Sequence, residues 1–329
     1  MSESFDWGAL FARARDGHVP STARLISALE SRRLGRADLL PELHAAGGRA
    51  HVVGMTGPPG SGKSTLVNAL VKECRARGKT VAVVAVDPSS SLTGGAILGD
   101  RIRMLEHGLD QGVFVRSLST RGSFGGVSRA TVDAVAVLDA CGWDVVLVET
   151  IGVGQDEIDI IRIAQTTVIV SAPGLGDDIQ AIKAGLLEVA DIHVVNKADR
   201  PDADKTVSEL IGMLMLGTLP DDAAWTVPVL STTALDGTGV ESLLNTIDSH
   251  WAWLRTSGEL TLRNRAAASA RIRAVAKDLL LERIGDPTTG VAFDDIVDAV
   301  VARRLDPESA AAILLTAAVE LDAHIVKIA

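Results

Sequence analysis

Nine consecutive residues carry the strongest chemical signal in this 329-residue chain: Gly57-Pro58-Pro59-Gly60-Ser61-Gly62-Lys63-Ser64-Thr65. They fit G-x-x-x-x-G-K-[ST], where glycines let successive backbone N–H groups turn inward and form a concavity for phosphate oxygens. Lys63 adds a point charge for β- and γ-phosphate oxygens, and the Ser64 hydroxyl suits Mg²⁺. The flanks agree: 51–56 reads as a buried strand, and 64–71 opens a helix whose N-terminus favours anions.

A second signal is Asp144-Val145-Val146-Leu147-Val148-Glu149, an apolar strand ending in a carboxylate. Such an acid orients water on Mg²⁺. Gly152 would then offer its backbone N–H to the γ-phosphate, making 150–157 a switch. Gln155 is the candidate for orienting attacking water, although Gln in a polar loop often has no special role. Asp87 ends the strand expected beside the phosphate loop, within reach of the metal or its waters. Asp100 heads the next helix, where a metal role and an ordinary N-cap stand level. The Ser/Gly-rich stretch between them reads as a nucleotide-sensing switch. Lys63, Asp87, Glu149 and Gln155 are therefore the candidate catalytic residues, and Ser64, Asp87, Asp100 and Glu149 the candidate metal set.

The third signal is Asn196-Lys197-Ala198-Asp199 after an apolar strand. Asp199 can accept from the N1–H and 2-amino group of guanine, a donor pair that adenine lacks, while the Lys197 stem lies along the base. Thr233-Ala234-Leu235 falls where a backbone N–H would meet guanine O6. Two further loops stay open between function and ordinary solvated surface. Arg116 and Arg121 sit in a glycine-rich loop able to approach phosphate or an acidic partner. In 172–185, Asp177 and Asp178 suit a helix start, yet the glycines admit a partner-reading loop.

These motifs need a scaffold that brings strand ends together. Apolar runs at 51–56, 80–86, 113–118, 144–149, 166–172, 191–195 and 227–231 alternate with helical stretches at 63–77, 99–108, 126–141, 178–189, 202–216 and 239–254. Continuous apolar strands joined by helices predict an α/β fold, a parallel sheet with helices on both faces. Every motif falls at a strand's carboxyl end, where such sheets bind ligands. Residues 1–48 read as a helical extension packed on this 49–258 domain. From 259 to 329 the sheet pattern stops, and Ala/Leu-rich helical repeats, broken at Asp286-Pro287 and Asp306-Pro307, read as an arm that favours dimerisation.

Bulk properties exclude several classes. The net charge of −10 argues against a general nucleic-acid binder. Cys74 and Cys141 form no CxxC pair, which argues against a disulfide framework or a thiolate zinc site and makes both structural filler. The N-terminus lacks the pattern of a secretory or transit peptide, and no run approaches the ~18 apolar residues of a membrane span, so a cytoplasmic location without membrane partner is expected.

The segments GPPGSGKST, VDPSSSLTGGAILGDRIRM, RSLSTRGSFGG, VETIGVGQDE, SAPGLGDDIQAIKAG and NKAD together resemble the MeaB/ArgK/MMAA GTPases of the SIMIBI class, over essentially the whole chain. The resemblance implies a homodimeric GTPase that serves adenosylcobalamin-dependent methylmalonyl-CoA mutase as a chaperone, coupling GTP hydrolysis to cofactor loading and protection. It also implies metal and switch roles for Ser64, Asp87, Asp100 and Glu149, and an additional switch at 177–188 that relays signals to the mutase. No arginine finger is assignable, so slow turnover accelerated by a partner is expected. Two alternatives remain. A nickel metallochaperone needs clustered His or Cys ligands, and the seven histidines are scattered at 18, 44, 51, 107, 193, 250 and 324. A transport-linked kinase needs an acceptor pocket, none of which is recognisable in sequence, and N-K-x-D favours GTP over ATP.

Overall fold

The computed structural model describes residues 6–31, 36–87, 110–119, 129–150, 160, 163–174, 189–217, 225–284 and 292–325. Three N-terminal helices, α1 (Trp7–Arg15), α2 (Val19–Glu30) and α3 (Arg36–Ala46), precede strand β1 (His51–Thr56) and helix α4 (Lys63–Ala76). There follow β2 (Val81–Asp87), β3 (Val113–Ser119), α5 (Arg129–Ala140), β4 (Val145–Thr150), β5 (Thr166–Ser171), β6 (Ile192–Asn196), α6 (Ala203–Gly217), β7 (Val229–Thr232) and α7 (Val240–Ser257). Helices α8 (Glu259–Ile284), α9 (Phe293–Val301) and α10 (Pro307–Ile325) complete the described elements. The expected strands therefore form, with ends displaced by no more than two residues. The expected helices at 99–108 and 178–189 lie outside the described residues, save for position 189, which is a turn.

The seven described strands make one parallel sheet in the order β3-β2-β4-β1-β5-β6-β7. Strand β1 is central, and the winding direction reverses there, where an α/β sheet opens its ligand crevice. Every residue of β1, β4, β5 and β6 is buried, which is why these strands read as unbroken apolar runs. On one face, Val52, Val84, Val146 and Val148 pack with α1–α3 and α5 through Phe11, Leu25, Ile26, Leu29 and Leu138. On the other, Val53, Met55, Val83, Leu147, Val168 and Val194 meet Leu66 and Leu70 of α4 and Leu243 and Ile247 of α7. A smaller cluster joins Ile169 and Val195 to Leu210 of α6.

The N-terminal helices are thus part of the sheet's own core. Asp139, near the end of α5, accepts from the backbone N–H of Arg49 (2.9 Å) and Ala50 (2.8 Å), fixing the turn into β1. One sequence expectation is corrected. Arg116 is not in a loop but inside β3, where its Nη2 donates to Ser27 Oγ (3.0 Å) and Glu30 Oε2 (3.1 Å) of α2. The guanidinium is held by the N-terminal layer, and the loop reading failed because Arg116 lies within the 113–118 run itself, which β3 follows through to Ser119.

At the amino edge of the sheet, four polar residues from distant segments meet. His51 Nε2 lies 2.7 Å from Thr166 Oγ1, which lies 2.8 Å from His250 Nδ1, and His250 Nε2 is 3.3 Å from Asp191 Oδ1. Burial, then the neighbouring His250 and Lys79, push the His51 imidazole down to about 3. A neutral His51 ring paired with the Thr166 hydroxyl is satisfied without a buried charge of its own.

Residues Met1–Leu260 form one compact unit and Thr261–Ala329 another. In the second unit, Pro307 occupies the first turn of α10 and Asp306 caps it, its Oδ1 accepting from Glu308 N (3.0 Å) and Ser309 N (2.9 Å). The break expected at Asp306-Pro307 is therefore a helix start; the one at Asp286-Pro287 lies outside the described residues. Large apolar side chains of this unit, among them Leu262, Ile272, Phe293 and Val301, are exposed.

Candidate functional site

The loop 57–62 leaves the carboxyl end of β1 and returns as α4. Gly57 has φ 137°, and a Cβ there would collide with the Val170 carbonyl of β5, so only glycine lets the loop hug the sheet. Gly62, at φ 90°, caps α4 without any side-chain hydrogen bond. The first-turn N–H groups of α4 are left to an anion, reinforced by the positive end of the helix. Lys63 is buried at 6% exposure, and its Nζ donates to Gly57 O (2.7 Å) and Pro58 O (2.9 Å), so the ammonium lies over the loop's concavity. Pro59 and Gly60 are exposed at the rim; Ser61 is buried beneath it, and Thr65 is half-buried on α4.

Strand β4 runs beside β1 in register Met55↔Glu149. The adjacency delivers Glu149 to Ser64, whose Oγ donates to Glu149 Oε1 at 2.6 Å. A hydroxyl and a buried carboxylate in contact are hard oxygen donors that fit Mg²⁺, which would offset the charge of a Glu only 5% exposed. The strand ending at Asp87, expected beside the phosphate loop, is instead separated from β1 by β4, which pairs with both, and Asp87 is paired with Ser119 of β3. Asp100, Gly152, Gln155 and the segments 99–108, 151–157 and 177–188 lie outside the described residues.

Three strands further along, Asn196 binds the base-reading segments to the phosphate loop. Its Nδ2 donates to Ser61 O (2.9 Å), and its Oδ1 accepts from Ala234 N (3.1 Å) and Thr232 Oγ1 (3.2 Å). Lys197 follows in the left-handed region at φ 59°, and its Nζ donates to Gly60 O at 2.6 Å, so its stem spans from β6 to the loop rim. Asp199 is exposed beside it, free to meet a base edge from solvent. Within Thr233-Ala234-Leu235, the Thr233 amide donates to Thr238 O (2.9 Å) and the Ala234 amide to Asn196. These internal bonds narrow the sequence reading of the tripeptide to Leu235, whose side chain is 88% exposed.

Sequence reasoning missed one buried contact of this region. Thr150, directly after Glu149, donates its hydroxyl to Thr56, directly before Gly57, at 2.9 Å. Thr56 closes the expected strand 51–56 and Thr150 follows Glu149, but nothing in a strand's apolar pattern signals a cross-strand hydroxyl pair.

A glycine-rich loop on the central strand, an acid at the end of its neighbour and a base-reading turn two strands away, all at one sheet edge, place this fold among the P-loop GTPases. Comparison with known proteins narrows the class. The family model described as Methylmalonyl Co-A mutase-associated GTPase MeaB matches residues 22–288, and the chain belongs to that family. A Pyrococcus horikoshii protein with the provisional name of GTPase is 45% identical over 307 residues, covering 93% of this chain and 96% of that protein. The Escherichia coli GTPase ArgK is 36% identical over 259 residues (75% and 77%). The mitochondrial methylmalonic aciduria type A homolog of Mus musculus is 32% identical over 269 residues (80% and 65%). Among solved structures, one described as LAO/AO transport system kinase superposes with TM-score 0.68 at 25% identity, covering 95% of this chain and 98% of its own. No helix among the described residues is long and apolar enough to cross a membrane.

Proposed function

We propose that this chain is a GTP-hydrolysing chaperone of adenosylcobalamin-dependent methylmalonyl-CoA mutase, acting as a homodimer through its 259–329 arm. The observation that carries the nucleotide half is the Asn196 side chain, which ties the guanine-reading turn to the phosphate loop through Ser61 O. One ligand spanning base and phosphates then engages both ends of a single hydrogen-bonded unit. The mutase half is supported by the family's own description and by the mouse relative's name.

In this reading, backbone amides of 57–65 and Lys63 hold the phosphates and stabilise charge that spreads onto them during in-line attack by water. Ser64 and Glu149 hold Mg²⁺, with Asp87 and Asp100 completing its surroundings and Gly152 contacting the γ-phosphate. The metal supplies neutralisation of the phosphate oxygens. Gln155 orients the attacking water. Asn196, Lys197, Asp199 and the Thr233–Leu235 turn select guanine. With no arginine finger assignable from the sequence, turnover is slow until the mutase binds, and the 150–157 and 177–188 segments carry the nucleotide state to it.

The test is capture from a native lysate with immobilised protein loaded with a non-hydrolysable GTP analogue. A cobalamin-dependent mutase should be retained with the analogue and lost with Asp199→Asn; retention of no mutase in any nucleotide state refutes the partner. The kinase alternative predicts that label from [γ-³²P]GTP moves to an acceptor, whereas the GTPase reading predicts inorganic phosphate alone.

A further inference from the structure

The β1–β4 register ends with Met55 and Glu149, one residue short of the two loops that would carry phosphate and metal chemistry. The next residues on each strand are Thr56 and Thr150, joined through their side chains and exposed only 0% and 1%. Side chains alternate along a strand. Met55 accordingly belongs to the α4 face and Glu149 reaches Ser64 there, while Val52, Val146 and Val148 belong to the opposite face with α5. The two hydroxyls fall on that opposite face, at the end of strands otherwise rich in valine. A valine pair would fill the same space. A buried hydroxyl pair contributes little net stability, because both groups give up water to make one bond. What it does contribute is a directional link with a set length.

We infer that the Thr150–Thr56 hydroxyl bond is a clamp that fixes the spacing between the phosphate loop and Glu149, making both threonines positioning residues for hydrolysis. The inference rests on the GTPase reading above. Thr56 is bonded directly to Gly57 and Thr150 directly to Glu149, so the clamp lies one peptide from each group whose separation matters. The 2.6 Å contact from Ser64 to Glu149 spans α4 and β4 and persists only while β4 stays against β1 at this end. A slip of ~1 Å between aligned catalytic groups costs up to ~100-fold in rate.

A double-mutant cycle on the full chain separates positioning from packing. T56V, T150V, the double valine variant and T150S are compared by melting, by steady-state GTP hydrolysis, and by affinity for a fluorescent GDP with Mg²⁺ or with EDTA. Each single valine strands one buried hydroxyl and lowers Tm by about 2–4 °C. The double variant regains most of that Tm, because two apolar groups now face each other. Turnover nevertheless stays down about tenfold or more in all three valine variants, with KM for GTP little changed. The double variant binds GDP normally in EDTA and several-fold more weakly with Mg²⁺, and T150S recovers most of the wild-type rate. A double variant that regains both stability and turnover, or a T150S that stays slow, overturns the clamp while leaving the GTPase reading intact. A wild-type protein that neither binds nor hydrolyses GTP overturns that reading and the clamp's role with it.

Discussion

Replacing Asn196 with alanine removes the side chain that joins β6, the 232–235 turn and the phosphate loop. The residue is 2% exposed, and its loss strands Ser61 O, Ala234 N and Thr232 Oγ1. Each buried group left unpaired costs about 1–3 kcal/mol, so even the low end sums to about 3 kcal/mol. For a unit of this size, 1 kcal/mol moves Tm by about 2–4 °C, which places N196A about 6–12 °C below the parent. Differential scanning calorimetry with and without GDP reads both the loss and its consequence. The variant should melt early, and GDP should raise its Tm far less than it raises the parent's, because the loop and the turn no longer move as one unit. N196D offers a second check: it keeps both acceptor contacts but faces Ser61 O with an acceptor and buries a charge, so it should melt no higher than N196A. A loss under 2 °C in N196A would refute the argument that this side chain carries the link.

Three further outcomes follow from the same structure. Lys197 holds φ 59°, a conformation costing roughly 1–2 kcal/mol for a residue with a Cβ, so K197G should be more stable than K197A by about 1 kcal/mol in urea titrations. His51 is held neutral by burial, with its imidazole pushed down to about 3 from 6.5. The unfolded chain therefore binds a proton that the folded one refuses; stability is complete above pH 6.5 and falls by about 1.4 kcal/mol per pH unit toward pH 3, a slope that H51Q should flatten. Burial raises the thiols of Cys74 and Cys141 to about 11 each, so at pH 8 only about one in a thousand is ionised, and alkylation should stay slow until urea unfolds the chain.

The fold was legible because a parallel sheet buried on both faces writes itself as apolar runs separated by helical stretches. The phosphate loop and the Asn196–Asp199 turn were legible because their chemistry is local, with every needed residue type within nine positions. What escaped is what depends on residues far apart in the chain. Arg116 looked like a loop residue until Glu30, 86 positions earlier, was seen to hold it. His51, readable only as the first residue of a strand, meets Thr166, 115 positions later. Thr56 and Thr150 are 94 positions apart and unremarkable in either strand alone. The Thr233–Leu235 turn was placed correctly at a strand end, but which of its amides is already engaged follows only from the position of Asn196 Oδ1.

The central claim is that this sheet edge reads guanine and triphosphate together, and the most direct measurement is competition of GTP, ATP and XTP against a fluorescent GDP for wild type and Asp199→Asn. Wild type should prefer GTP over both competitors by ~100-fold or more, since a carboxylate that accepts from N1–H and the 2-amino group rejects bases lacking that pair. Asp199→Asn should reverse the order, favouring XTP, whose 2-oxo group accepts from the new amide. Unchanged GTP affinity in Asp199→Asn, or a wild type that binds ATP as tightly as GTP, would contradict it.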